Sequence, residues 1–305
     1  MGFEYLTNVS LAQARKEYLE RLVSGGFGSK AETIPVFESC GRVTAKAVYA
    51  HICAPHYAAS AMDGVAVSAK ETFGATETTP VTLNPDQFLV LDTGDPIPED
   101  KDAVIMVEDI VKNGDGSITI HAAAAPWQHI RQIGEDVCAG EMILPSHMTV
   151  SPAAIGAMIA GGVLEIEVIR KPVVGIIPTG DEIIPPCTDP KPGDILEFNG
   201  SIFSAMVRSW GAEAVVYPIV PDKFDQIKEM VAKAADECDM VILNAGSSAG
   251  REDFSARVIR ELGEVLYHGI AIKPGKPAIL GCRERRSFLE CPVIRCPASS
   301  SLSSC

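Results

Sequence analysis

Lys273-Pro274-Gly275-Lys276 places two ammonium groups at the ends of a dipeptide suited to turning. Proline presets its φ angle and glycine accepts φ > 0, so the four residues read as a type II turn with end Cα atoms within about 7 Å. Two like charges held so close are unfavourable beside a cleft unless an anion lies between them; in open water they form a solvated hairpin tip. A second anion signal precedes it. "VILNAGSSAGREDF" reads as strand, small-residue loop and helix, with Gly246 and Gly250 permitting close backbone approach, Ser247 and Ser248 offering hydroxyls, and a helix N-terminus offering free N–H groups. The loop matches neither the Walker pattern nor the dinucleotide fingerprint. Its plainer reading is a connection in which Glu252 and Asp253 complement the helix dipole.

Acids supply the complementary chemistry. Asp181 and Glu182 stand beside a glycine in "PTGDE" (178–182), Asp222 ends "VPD" (220–222), and Asp253 closes the serine loop. Singly, each is an ordinary solvated turn residue. Together they bring carboxylates from three loops to one crevice, and one or two carboxylates with substrate phosphates are what Mg²⁺ uses. Upstream, "SAMDGVAV" (60–67), "LDTGDPIPED" (91–100) and "RQIGEDVCAG" (131–140) repeat the theme of an acid beside glycine at Asp63, Asp95 and Asp136.

Elements must position these groups. Residues 10–24 carry Leu11, Ala14, Tyr18, Leu19 and Leu22 at helical spacing, with Ser10 as N-cap. From about 35 to 150, short apolar runs separated by Gly, Pro and Asp predict a β-rich module with many turns. Ser151-Pro152 opens a helix that Gly161-Gly162 stops. Beyond Pro172, strands read at "PVVGIIP", "AEAVVYPIV", "DMVILNA" and "EVLYHGIAI" alternate with helices at "SIFSAMVRSW", "FDQIKEMVAKAADE" and "EDFSARVIRELG". Such alternation predicts βαβ units and a mostly parallel sheet covered on both faces, with ligands at the carboxyl ends of its strands.

Composition narrows the function. At 305 residues, 47% hydrophobic and 22% charged, the chain has ample core for two or three domains. Its net charge of −14 disfavours nucleic acid and anionic membranes as general partners, while a local lysine pair or a divalent cation still permits an anionic small molecule. No secretory signal, myristoylation pattern or membrane-spanning run is read, which gives the expectation of a cytoplasmic protein. The nine cysteines form no CxxC pair; Cys40, Cys53, Cys138, Cys187 and Cys238 are widely spaced and read as reduced structural thiols.

Taken in order, Ser60-Ala61-Met62-Asp63-Gly64, Thr93-Gly94-Asp95-Pro96-Ile97-Pro98, Gly134-Glu135-Asp136, Thr179-Gly180-Asp181-Glu182, Gly246-Ser247 with Gly250 and Asp253, and Lys273-Pro274-Gly275-Lys276-Pro277 resemble the molybdopterin molybdenumtransferase family, MoeA and the gephyrin E domain. The resemblance spans about residues 5 to 281. It implies an α/β multidomain fold: a MogA-like three-layer α/β/α domain with a mostly parallel sheet, an inserted β-rich, barrel-like domain, and a small helical and extended dimerisation domain. The corresponding boundaries are 1–45 with 140–171 for dimerisation, 46–139 for the insert and 172–281 for the molybdopterin-binding domain. The resemblance further implies Mg²⁺-dependent insertion of molybdenum from molybdate into adenylyl-molybdopterin with release of AMP.

By the same resemblance, Asp63, Thr93, Asp136, Glu182, Asp222 and Asp253 take the catalytic positions, with Glu182, Asp253 and Asp181 as metal ligands. Lys273 and Lys276, with Gly246, Ser247, Ser248 and Gly250, bind substrate and anion. Family members are homodimers whose cleft joins the α/β domain of one subunit to the β-rich domain of the other. A catalytically inactive molybdopterin-binding scaffold is the alternative; the related adenylyltransferase is disfavoured by the long β-rich region. Three departures stand out. Val65 replaces the usual Tyr, Asn244-Ala245 precede Gly246 where the family has Gly-Gly, and residues 282–305, rich in Cys, Arg and Ser, read as an aberrant tail that lacks the last strand-loop-helix and the C-terminal β domain.

Overall fold

The computed structural model describes residues 9–28, 30–245, 254–271, 278–283 and 286–292. They divide into two compact units, 1–30 with 170–305, and 31–169.

In the first unit a six-stranded sheet runs in the order Glu213–Val216, Val173–Pro178, Met240–Ala245, Arg286–Pro292, Ile279–Arg283, Glu264–His268. Ile279–Arg283 is antiparallel to both of its neighbours and the remaining pairings are parallel, so the sheet is mixed. Side chains alternate across it. Ile177, Val241, Leu243, Ile279 and Phe288 enter one core, with Ile227, Val231, Ala234 and Ala235 of the helix Phe224–Glu237 and Val258 and Ile259 of the helix Phe254–Leu262. The intervening Val174, Ile176 and Ile242 meet Phe203 and Val207 of the helix Asn199–Ser209. Period-2 strands and i, i+4 helix stripes therefore build three layers.

Two features of this unit bear on the sequence expectations. The helix Leu11–Ser24, capped as foreseen by the Ser10 hydroxyl accepting from Gln13 N at 3.2 Å, was grouped with 140–171. It instead buries Ala14, Tyr18 and Leu22 against Ile270, Ala278 and Leu280, and the Tyr18 hydroxyl donates to the Phe288 carbonyl at 3.1 Å. The second feature is the stretch after Gly281. Arg286–Pro292 is an interior strand, its register pairing Val241 with Phe288 and Gly281 with Phe288 on its two sides. Phe288 is fully enclosed, and truncating it to Ala is expected to cost about 3–5 kcal/mol in a urea unfolding measurement.

The 31–169 unit holds two cores. Ala31–Pro35 pairs with Glu165–Ile169, and the helix Pro152–Ala160, capped by the Ser151 hydroxyl, packs Ala154 and Met158 with Val36, Val48, Val150, Val163 and Ile166. The other core joins two three-stranded sheets, Phe88–Leu91 with Gly64–Val67 and Ala103–Met106, and Val81–Leu83 with Ile118–Ile120 and Ile110–Lys112. Val65, Val67, Leu83, Ile105 and Ile120 fill it. Gly64 is required where it stands, because a Cβ there would lie 2.0 Å from the Ile105 carbonyl oxygen.

Candidate functional site

The acid-and-glycine motifs of the 31–169 unit are gathered by short pairings. Ala59–Ser60 lies antiparallel to Ile130–Arg131, and Ala59 also bridges Pro96. Ser60 N donates to Asp95 O at 2.8 Å and Gly94 N to Ser60 O at 2.8 Å, so the 60–64, 93–98 and 131–136 segments form one loop cluster. Gly94, at φ +95°, permits the tight return.

Within this cluster each predicted acid is already engaged. Thr93 donates both its backbone N–H and its hydroxyl to Asp63 Oδ1, each at 2.7 Å. Those bonds, the hydroxyl first, hold the exposed Asp63 carboxyl below the usual aspartate range. Arg131 Nη2 lies 2.7 Å from both carboxylate oxygens of Asp136 and its Nε is 3.6 Å from Glu135. Charge-assisted bonding to Asp136 raises the arginine's own affinity for its proton. Arg131 was not anticipated as a site residue; its i, i+5 relation to Asp136 becomes meaningful only when the turn closes.

The strand ends of the α/β unit bring a different set together. Val173–Pro178 runs into Thr179, whose N–H and hydroxyl donate to Asn244 O at 2.9 and 3.2 Å. Gly180, at φ +146°, donates to Val220 O at 3.1 Å, and a Cβ on it would sit 2.6 Å from Ile183. This turn sets Asp181 Oδ1 3.1 Å from Asp222 N. Burial, then the nearby Asp181 and Glu182 carboxylates, push the Asp222 carboxyl up from its ordinary value. Asp181, Glu182 and Asp222 lie near one another at these strand ends, and among the described residues no cation forms an ion pair with any of them.

An open crevice of about 570 Å³ begins at these strand ends, lined by Gly180, Asp181, Glu197, Tyr217 and several prolines, including Pro178 and Pro221. The Tyr217 hydroxyl donates to Glu237 at 2.6 Å, and burial followed by that bond keeps it protonated far above the normal tyrosine range, so it acts as wall and not as acid. Glu197 was missed from sequence. Its Oε1 accepts Gly200 N at 2.6 Å and starts the Asn199–Ser209 helix two residues before the apolar pattern does. Asn244 and Asn199, 4% and 5% exposed, each bury an Oδ1 with no hydrogen-bond partner among the described residues. Buried acceptors left unmatched are rare enough to require a reason, and Asn244 stands where the expected anion loop begins.

Lys273, Lys276, Gly246, Ser247, Ser248, Gly250 and Asp253 lie outside the described residues. Among the described residues no three His, Cys, Asp or Glu groups are arranged as a metal cage. The hard oxygen donors Asp181 and Glu182, close enough to add to the effect of burial on Asp222, nevertheless suit a cation that takes few carboxylates and completes its shell from phosphate and water. No helix among the described residues is long and apolar enough to cross a membrane.

Comparison with known proteins covers both units. Residues 9–162 match the "MoeA N-terminal region (domain I and II)" and residues 175–303 the "Probable molybdopterin binding domain". The chain is 31% identical over 300 residues to the molybdopterin molybdenumtransferase of Haemophilus influenzae, covering 93% of itself and 72% of that protein. It is 33% identical over 275 residues to molybdopterin molybdenumtransferase 2 of Mycobacterium tuberculosis, covering 82% and 67%. A crystal structure of a molybdopterin biosynthesis MoeA protein from Pyrococcus horikoshii superposes with a TM-score of 0.71 at 30% identity, over 93% of this chain and 74% of that one.

Proposed function

The chain belongs to the molybdopterin molybdenumtransferase family, a family of transferases, and on that premise we propose that it acts in molybdenum cofactor biosynthesis, inserting molybdenum from molybdate into adenylyl-molybdopterin with release of AMP. The observation that carries this reading is the gathering of Asp181, Glu182 and Asp222 at strand ends beside the crevice that Asp181 lines, where burial and then the two neighbouring carboxylates lift the Asp222 carboxyl. Like charges gathered without a cationic partner among the described residues favour a cation-bearing substrate over an empty pocket.

Asp181 and Glu182, with Asp253, would hold Mg²⁺, which when bound neutralises charge on the phosphoanhydride. Gly246, Ser247, Ser248 and Gly250 cradle phosphate through backbone N–H groups and hydroxyls. Lys273 and Lys276 hold an oxyanion, molybdate or a substrate phosphate, as paired point charges. Asp222, through its N–H to Asp181, keeps that acid oriented. In the β-rich unit, Asp63 is kept ionised by Thr93 and Asp136 is held in place by Arg131, so both carboxylates are oriented before substrate arrives.

The same reading makes the protein a cytoplasmic homodimer with an inserted, barrel-like 46–139 domain. Dimerisation is assigned to the helical and extended region of 1–45 and 140–171 outside the Leu11–Ser24 helix, and the exposed Phe37, Ile159 and Leu164 there support it.

The test is AMP release from the purified chain given adenylyl-molybdopterin and Mg²⁺, with and without molybdate, beside Glu182→Gln. Molybdate-dependent release that the variant loses is expected. Substrate binding without any release would replace the transferase reading by the inactive scaffold.

A further inference from the structure

Cys53 and Cys138 are separated by most of the β-rich unit in sequence, yet the fold sets them opposite one another. Ala54 and Val137 form an antiparallel bridge, exchanging Ala54 N to Val137 O at 2.8 Å and Val137 N to Ala54 O at 3.1 Å. The next pair outward from such a hydrogen-bonded pair is a non-hydrogen-bonded one, in which Cα atoms approach to about 4.5 Å and side chains are closest. The Ala54–Val137 bridge is an isolated one, and continuing its register by one residue sets Cys53 opposite Cys138. Its neighbours hold it in place: Gly134 N donates to Pro55 O at 3.0 Å and Asp136 N to Ala54 O at 2.9 Å.

The sulfurs share one small space. Ala139 N donates to Cys53 Sγ at 3.3 Å, and Cys138 Sγ reaches Gly134 O at 3.4 Å. A Cβ built on Gly134 would lie 2.9 Å from the Cys138 sulfur and 3.6 Å from the Cys53 sulfur. Gly134, at φ +78°, therefore leaves the room that both thiols occupy, in the turn that carries Asp136. Both cysteines are free, Cys138 exposed and Cys53 half-buried.

We propose that Cys53 and Cys138 are a redox-modification site, closed to an internal disulfide by a low-molecular-weight disulfide such as oxidised glutathione. The more exposed Cys138 thiolate attacks the glutathione S–S bond, forming a mixed disulfide and releasing one glutathione thiolate. The Cys53 thiolate then attacks the Cys138 sulfur, forming the internal bond and expelling the second glutathione. The protein dithiol loses two electrons and two protons, and both pass to the two glutathione thiols. Facing positions in antiparallel register fall in the Cα range a disulfide takes, and the space left by Gly134 is shared by both sulfurs. Closure pins the Asp136 turn to the 53–55 segment.

The experiment is equilibration of the whole chain in oxidised and reduced glutathione, acid quenching, alkylation and non-reducing peptide mapping by mass spectrometry. The expected result is a linked pair of peptides containing Cys53 and Cys138, without retained glutathione and reversed by dithiothreitol. The exposed Cys40 and Cys187 serve as unpaired references in the same digest. In Cys53→Ser, Cys138 is expected to keep one glutathione; Gly134→Ala, whose methyl enters the shared space, is expected to need more oxidised glutathione for half closure. Separate glutathione adducts on Cys53 and Cys138 in the unaltered chain, or two thiols that stay free while Cys40 reacts, would overturn the proposal. The readout is a bond, so it stands or fails independently of AMP release.

Discussion

In the 31–169 unit the acids of the loop cluster are already matched: Asp63 receives two bonds from Thr93, and Asp136 lies against Arg131. At the strand ends of the α/β unit the acids face one another, Asp222 being lifted by burial and by Asp181 and Glu182. The contrast separates two uses of carboxylate. A matched acid is a fixed charge or a positioning strut, whereas crowded acids store repulsion that a cation or a cation-bearing ligand relieves. Loss of an acid should therefore destabilise or disorder the first region and relax the second, at the expense of ligand.

The largest effect that would sharpen this contrast is on turnover. Glu182→Gln is expected to lower molybdate-dependent AMP release by at least about 100-fold while thermal stability is kept or slightly raised. A variant with normal release would remove Glu182 from the crowded set. Asp222→Asn should raise Tm by roughly 1–3 °C at neutral pH, a small effect because solvent screens a largely exposed group. The sign follows from the raised carboxyl: its ionised form is disfavoured in the fold, so the penalty is absent below 3.8 and grows as pH rises through the lifted value. Melting curves of the two proteins should then converge in acid, and a gap that widened there would refute the crowding.

Smaller effects test the matched region. Arg131→Ala removes a solvent-exposed pair and should move the chemical denaturation midpoint only slightly. A larger loss would mean that the pair holds the whole turn. Thr93→Val leaves the backbone bond and should move the Asp63 carboxyl part of the way back towards 3.8 in a carbon-detected NMR titration. Since its folded value is depressed, the associated stabilisation is present above 3.8 and fades as pH falls through the lowered value. An unmoved titration would mean that the hydroxyl does not bind the carboxylate.

Legibility differed between the two regions for a physical reason. The α/β strand ends were found by alternation, because a ligand crevice at carboxyl ends follows from parallel topology itself. The strands Val173–Pro178 and Met240–Ala245 and the helix Phe224–Glu237 fall where periodicity placed them. Strand "AEAVVYPIV" shortened to Glu213–Val216, since Pro218 cannot continue the ladder. In the β-rich unit Asp63, Asp95 and Asp136 could be marked as turn acids and no more, because what each binds is set by long-range pairing. Arg131, Glu197 and the unmatched Asn199 carried no pattern of their own.

By itself the sequence determined the local elements, their caps at Ser10 and Ser151, the two textures of the chain and the ordered motifs that mark its family, all written in spacings of a few residues. Only the tertiary structure decided what meets across long separations. It inserted Arg286–Pro292 between Met240–Ala245 and Ile279–Arg283, docked the Leu11–Ser24 helix on the α/β sheet, and set Cys53 opposite Cys138. Periodicity reports which face a residue buries, but pairing partners are chosen by chain closure and the competition among all strands, and that information is spread over the whole chain.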